Sequence, residues 1–225
     1  MNEIYDVYIG YDSREKIAFN VCVNSILCNT ASPTKIVIHP LKLDELKSKN
    51  IYYRPDDPLS STEFTFSRFL VPYLQNYKGN ALFCDCDFLF TKDIIDLFAL
   101  SDQSKAVQCC KHNYTPKSTH KMEGATQHLY PRKNWSSLIL YNCDHISNKA
   151  LTRELVNTQT GQYLHRFNWL KDEEIGELPH TWNWLVGWYK EPKDGKPNAI
   201  HFTEGGPWHQ GYENCEYADV WKQYS

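Results

Sequence analysis

The chain predicts an α/β domain with a mostly parallel sheet flanked by helices, on three observations. Short apolar runs that read as buried strands alternate with helical periodicities through the first half. One of them, Ala81-Leu82-Phe83-Cys84, ends in two acids spaced by one residue, Asp85 and Asp87. The second half changes character, with long polar stretches between short apolar runs. At 225 residues the chain is long enough for one large domain with a sizeable core, and nothing in it marks a second domain.

Ile4 to Ile9 reads as the first strand. Asp12-Ser13-Arg14-Glu15 then carries the N-cap and N3 acid of a capping box, and Ile17, Val21, Val23, Ile26 and Leu27 supply a helical apolar face. Lys35 to His39 is a second strand. After a polar loop, Ser61-Thr62-Glu63 opens a helix through Arg68, which Val71-Pro72-Tyr73 bends or ends. The Ala81 to Cys84 strand follows, bounded by Gly79-Asn80. Thr91 or Asp93 starts a helix with Ile94, Ile95, Leu97 and Phe98 on one face, and Ala106 to Cys109 is a further strand. Lys111 to Lys133 has little periodicity and reads as a loop or lid. Ser137 to Asn142 is a strand, Lys149 to Val156 a short helix and Asn198 to Thr203 the last strand.

Composition narrows the partners. A net charge of −3 and no basic run make nucleic acid and anionic membranes poor candidates. The first residues lack a signal-peptide pattern and no segment approaches the roughly twenty apolar residues of a membrane span, so a cytoplasmic, soluble protein is expected. Eight cysteines without Cys-x-x-Cys read as reduced thiols rather than a disulfide framework or a zinc site. Aromatic residues make up 14 % of the chain, many beside polar residues, as in His180-Thr181-Trp182-Asn183-Trp184. Rings with an apolar face and a polar edge suit a site that stacks sugars or bases, although core packing accounts for most of them one by one.

Chemistry concentrates at Asp85 and Asp87. Ligands in open α/β sheets bind at the C-terminal ends of strands, and two carboxylates brought together there favour a cation between them. The pair therefore points to a Mg2+ or Mn2+ site that holds a diphosphate, with a solvated turn as the plainer alternative.

Four features in order carry a resemblance. They are the opening strand Val7-Tyr8-Ile9-Gly10-Tyr11-Asp12, the segment Phe66-Ser67-Arg68-Phe69-Leu70, Asp85-Cys86-Asp87, and His201-Phe202-Thr203-Glu204-Gly205-Gly206-Pro207-Trp208. In these the chain resembles the nucleotide-sugar glycosyltransferases of the GT-A fold, in particular the group containing glycogenin and the lipopolysaccharide galactosyltransferases. The resemblance implies a single GT-A, Rossmann-like domain over residues 1–225, with a smaller acceptor-side sheet. Residues 1–110 would form a nucleotide-binding half and 111–225 a half for donor sugar and acceptor. It implies that Asp85 contacts metal and ribose, that Asp87 and His201 ligate the metal, and that Ile9, Gly10, Tyr11, Asp12, Arg68, Asp85 and Cys86 line the nucleotide. The imidazole makes Mn2+ more fitting than Mg2+. Trp135, Ser136, Asn142, His180, Trp182, Asn183, Gly205, Gly206 and Trp208 would line the donor sugar and phosphates. Asp172, in Trp169-Leu170-Lys171-Asp172, aligns with the acid that faces the donor sugar, as a catalytic group or else as a simple N-cap.

One departure stands out. The family carries a phosphate-binding lysine before Pro-Trp where this chain has Gly206, so Lys133, Lys111 or Arg132 would have to supply that charge. The expected activity is metal-dependent transfer of a sugar from a UDP-sugar to a glycan or glycoconjugate acceptor, with retention. A phosphatase of the haloacid dehalogenase type also carries Asp-x-Asp after a strand, but usually with Thr or Val where this chain has Leu89. A catalytically inactive nucleotide-sugar-binding module is the other alternative.

Overall fold

The structure, a computed structural model, describes residues 4–55, 57, 60–113, 132–190 and 196–225. Most of the loop expected from Lys111 to Lys133 lies outside these residues.

A six-stranded sheet forms the centre, in the order β2-β1-β3-β6-β5-β7. Its strands are β1 (Tyr5–Gly10), β2 (Ile36–Leu41), β3 (Asn80–Cys84), β5 (Val107–Cys109), β6 (Leu138–Asn142) and β7 (Ile175–Glu177). β1 pairs in parallel with β2 and β3, β6 runs antiparallel to both β3 and β5, and β7 is parallel to β5. Five strands thus run one way and β6 alone is reversed. β4 (Phe88–Phe90), β8 (Trp184–Leu185) and β9 (Ala199–His201) form a smaller sheet in the order β4-β9-β8. Near-continuous apolar runs in β1 and β3 follow from burial on both faces, and Val7, Ile9, Leu82 and Phe83 are fully buried.

Helix α1 (Lys16–Cys28) buries Ala18, Val21, Cys22, Ser25 and Ile26, a stripe at helical spacing. That stripe is rotated from the expected one, because Ile17 and Leu27 are 50 % and 36 % exposed. The capping box also does not form. Asp12 turns its carboxylate to the backbone N–H of Arg14 at 3.0 Å, an Asx-type turn, and no side chain caps the helix. α1 docks on the small sheet through polar groups as well as apolar ones. Ser25 Oγ accepts from the Phe90 N–H at 3.0 Å and Asn29 Nδ2 donates to the Phe90 carbonyl at 3.0 Å.

The segment at 61–63 forms turns rather than a helix. Glu63 N–H donates to Asp12 Oδ2 at 3.2 Å, Ser13 Oγ donates to Glu63 Oε1, and Arg14 Nη2 donates to the Ser61 carbonyl at 2.9 Å. These bonds to the 12–14 turn compete with a helical ladder. Helical structure begins with the 3-10 turn Ser67–Leu70 and continues in α3 (Val71–Leu74), following the short α2 (Leu43–Ser48). Pro72 lies in the first turn of α3, where its missing N–H is not needed, and so starts the helix instead of ending it. Of the two expected starts, Thr91 and Asp93, it is Asp93 that caps α4 (Ile94–Phe98), by accepting from the Ile95 N–H at 3.0 Å. The helix expected from Lys149 starts later, as α5 (Arg153–Thr158) capped by Thr152, and is followed by α6 (Gly161–His165). The short C-terminal α7 (Ala218–Lys222) places Trp221 in a second apolar cluster with Val21, Leu89, Ile200 and Phe202. Among the described residues no helix is long and apolar enough to cross a membrane.

Gly10 shows how tightly the end of β1 is packed. A Cβ there would lie 2.4 Å from Phe64 Cδ2, so the space a side chain would need is filled by the Phe64 ring. Gly10→Ala is therefore expected to cost about 1–3 kcal/mol through overpacking. That is a fall of several degrees in melting temperature for a chain of this size. In a double-mutant cycle Phe64→Leu should recover part of the loss, and additive effects would show that the two residues do not compete for space.

Candidate active site

The C-terminal end of β3, the turn into β4 and the end of β9 converge on one point. β4 and β9 pair antiparallel with Phe88 opposite His201, which sets His201 beside the acid one residue earlier, Asp87. Asp85, Asp87 and His201 each offer a ligand atom, and these atoms lie within 4.8 Å of one another. His201 Nε2 is 3.4 Å from Asp87 Oδ1.

A relay of hydrogen bonds fixes which nitrogen of His201 faces the acids. Ser137 Oγ donates to the Asn134 carbonyl at 2.8 Å and therefore accepts from Asn183 Nδ2 at 2.9 Å. That orients the Asn183 amide so that its Oδ1 accepts from His201 Nδ1 at 2.8 Å, leaving the Nε2 lone pair toward Asp87. The Phe88 ring stacks on the imidazole with centroids 4.4 Å apart. Asn183 is fully buried. Behind it lies His112, whose imidazole is pushed down to about 3 by burial and by the neighbouring His201 and His180, against a hydrogen bond to Asn183.

Arg68 neutralises the other acid. It is 5 % exposed, and its Nη1 donates to Asp85 Oδ1 at 2.7 Å and to the Ser136 carbonyl at 2.8 Å. Its guanidinium lies 5.2 and 5.0 Å from the Phe64 and Phe83 ring centroids. Glu15 accepts from Trp208 Nε1 at 3.4 Å and His209 Nε2 at 3.1 Å, and from Cys86 Sγ at 3.5 Å. Burial pushes its carboxyl above the usual range, and the charge of Asp87 adds to this against the His209 contact.

Two cavities open at this end of the sheet. One, of about 350 Å³, holds Asp85, Asp87 and His201 in its wall with Arg14, Glu15, Arg68, Glu204, Gly205 and His209. The other, of about 250 Å³, is lined by Leu43, Tyr52, Pro55 and Phe66 together with Arg14, Asp57 and Glu63. Arg14, Ser60 and Thr62 belong to both walls, so the cavities adjoin there.

The donor set fits a hard divalent cation. In an octahedral shell with bonds of about 2.1 Å, adjacent ligands are about 3.0 Å apart and opposite ones about 4.2 Å. The trio needs only a small closure to reach those separations. A carboxylate oxygen facing an imidazole lone pair at 3.4 Å is also unfavourable unless a proton or a cation lies between them, and the approach of Asp85 to both favours the cation.

The other expected site residues are placed as follows. Ile9 is buried in β1, Cys86 faces Glu15, and Asp12 is a buried clamp on Arg14 and Glu63. Tyr11 packs edge-on against Phe19 at 5.2 Å, with Lys42 Nζ 5.5 Å from its ring. Trp135 has Lys111 Nζ 5.7 Å and the Arg132 guanidinium 5.3 Å from its ring centroid and donates from its indole to the His112 carbonyl. Ser136 binds Arg68 through its carbonyl and His165 through its hydroxyl. His180 stacks with His112 and Tyr189, and Trp182 is buried in the core. Gly206 lies under the indole of Trp208.

Strand direction places two more away from Asp85. β6 is reversed, so its start adjoins Asp85 while Asn142 pairs with Asn80 at the far end of the sheet. Asp172 precedes β7, which runs parallel to β3, and so lies at the end of the sheet away from Asp85. Its side chain is 86 % exposed and pairs with Arg132. Arg14, Glu15 and His209 line the cleft without having been singled out. For Arg14 and Glu15 the signal was the run Ser-Arg-Glu directly after Asp12, which also satisfied a helix-cap pattern, and no local pattern marked His209.

The family profile described as Glycosyl transferase family 8 matches residues 18–211. Protein CDI of Arabidopsis thaliana is 50 % identical over 221 residues, covering 96 % of this chain and 84 % of that protein. The glycosyltransferase GlyE of Streptococcus pneumoniae TIGR4 superposes with a TM-score of 0.65 at 17 % identity, over 99 % of this chain, which spans 60 % of the GlyE chain. The galactosyltransferase LgtC, in complex with donor and acceptor sugar analogs, superposes with a TM-score of 0.60 at 12 % identity, over 97 % of this chain and 94 % of its own. At such identities these two show a shared fold.

Two outcomes follow from the relay. Asn183→Ala should weaken Mn2+ binding about 10- to 100-fold, as loss of an outer-shell partner does, measured by calorimetry. Undiminished affinity would show that stacking on Phe88 orients the imidazole by itself. For His112, the folded pKa is depressed, so below about pH 6.5 the unfolded chain takes a proton that the folded chain refuses. Stability is present above that pH and falls as pH drops toward 3, by up to about 1.4 kcal/mol per pH unit. Melting curves of wild type and His112→Asn should diverge across that window. Parallel curves would contradict the buried neutral imidazole.

Proposed function

The chain belongs to glycosyl transferase family 8, whose members have the GT-A fold, and from that premise we propose that it moves a sugar from a UDP-sugar to a glycan or glycoconjugate acceptor. The transfer retains anomeric configuration and uses Mn2+, or Mg2+ in its place. The observation that carries this reading is the convergence of Asp85, Asp87 and His201 in a cleft that adjoins a second, partly apolar cavity. A metal and diphosphate suit the first and a nucleoside the second.

The chemistry asks for charge control at the leaving group. Breaking the bond from the anomeric carbon to the diphosphate leaves positive charge on the sugar and added negative charge on the phosphate. A cation held by Asp85, Asp87 and His201 supplies Lewis-acid stabilisation of that departing phosphate. The protein's own part is to hold its ligands ready. Arg68 holds Asp85 in place, and Asn183 keeps the Nε2 of His201 turned inward. Leu43, Tyr52 and Phe66 offer apolar and aromatic surface to a base. Eight free thiols, most of them buried, support a cytoplasmic setting.

Asp172, the acid aligned with the donor-facing position, has an exposed side chain and a place across the sheet that speak against contact with the sugar. Asp172→Asn is expected to keep kcat within about threefold of wild type, whereas loss of transition-state stabilisation would cost two orders of magnitude or more. A screen of nucleotide-sugars for metal-dependent release of nucleoside diphosphate tests the function itself. UDP release from one or more UDP-sugars, abolished in Asp87→Ala, is the expected result. Release of inorganic phosphate would favour the phosphatase, and binding without turnover the inactive module.

A further inference from the structure

We propose that Arg14 is the side chain this protein sets against the phosphates of its nucleotide-sugar, in the role that the resemblance assigns to a lysine before Pro-Trp. The proposal rests on the donor reading above.

Position 206 has no room for a lysine. A Cβ on Gly206 would lie 2.0 Å from Trp208 Cζ3, because the indole lies flat over that backbone, stacked on Trp221 at 5.5 Å and bonded to Glu15. The three cations expected to compensate are engaged elsewhere. Lys111 Nζ donates to the Ile175 carbonyl at 2.8 Å, Arg132 bonds the Arg166 carbonyl and Asp172, and Lys133 is buried. None of them lines either cavity.

Among the described residues Arg14 and Arg68 are the lysine or arginine side chains in the wall of the metal cavity. Arg68 is buried and committed to Asp85, the Ser136 carbonyl and the Phe64 and Thr65 carbonyls. Arg14 is different in exposure and in place. Its side chain is 55 % exposed and stands in the wall shared by the two cavities. A ligand whose base fills the smaller cavity and whose phosphates reach the acidic trio must cross that shared wall.

Arg14 is also held still. Its Nε and Nη2 donate to the two oxygens of Asp12 at 2.9 and 2.7 Å, and Nη2 donates again to the Ser61 carbonyl. Asp12 is fully buried and takes the Arg14 and Glu63 backbone N–H groups as well. A guanidinium fixed in this way loses little conformational freedom on meeting a phosphate, and its planar charge suits a phosphate's oxygens. Asp12 thereby becomes a positioning residue that acts through Arg14, and the Asp-Ser-Arg turn makes part of the phosphate site.

Calorimetry with uridine, UMP and UDP in the presence of Mn2+ tests this. Arg14→Gln should bind UDP about 10- to 100-fold more weakly, the loss expected for hydrogen bonds to a charged group, while its affinity for uridine stays within about twofold of wild type. Undiminished UDP binding would overturn the proposal, and so would an equal loss for uridine, which would make Arg14 a base contact. If wild-type protein binds no UDP, the donor reading fails and takes this proposal with it. If Arg14→Gln does not fold, arginine modification by phenylglyoxal on the wild type decides instead. UDP with Mn2+ should shield Arg14 from labelling and uridine should not, and equal labelling in UDP and uridine would overturn the role.

Discussion

Two carboxylates at the end of a buried strand set the terms for the rest of this molecule. Asp85 and Asp87 stand where apolar side chains keep much of the water away, and their like charges are costly there unless something opposite is close. The fold answers each acid differently. Asp85 is given a permanent partner, Arg68, itself buried against two phenylalanine rings. Asp87 is given His201, carried in by a strand from the far end of the chain and turned by Asn183 so that a lone pair faces it. A cation between the two would complete that second answer.

The small sheet exists for the same reason. β4 leaves the acidic turn, and β9 pairs with it in the one register that sets His201 next to Asp87. α1 is fastened to β4 by Ser25 and Asn29, and its first turn presents Glu15 to Trp208 and His209. The segment after β9 is thus closed down on the start of α1. A tryptophan laid over Gly206 is part of that closure, which explains why this position is a glycine. It is a packing requirement.

Much of this was legible in the residues. The acidic pair after an apolar run, the late histidine and the first-half strands each have a direct physical cause, and each lies where the sequence placed it. What escaped was long-range. The reversal of β6 put Asn142 at the wrong end of the sheet, and no local pattern announces strand direction. The parallel course of β7 does the same for Asp172, since a short turn before a strand looks the same on either edge of a sheet. Arg14 and Glu15 satisfied a helix-cap pattern so well that their contacts with the 61–63 turn and with His209 could not be suspected. The buried stripe of α1 differs from the most apolar one because polar Ser25 is needed inside, as a partner for the Phe90 N–H.

The central claim is that one divalent cation is shared by the protein trio and a nucleoside diphosphate. Electron-nuclear double resonance on Mn2+ bound to the protein with UDP tests it most directly. The account predicts a nitrogen coupling from the imidazole of His201 together with phosphorus couplings from the diphosphate on the same ion, the nitrogen signal vanishing in His201→Ala. Phosphorus couplings with no imidazole nitrogen, or a nitrogen coupling that survives loss of His201, would contradict it.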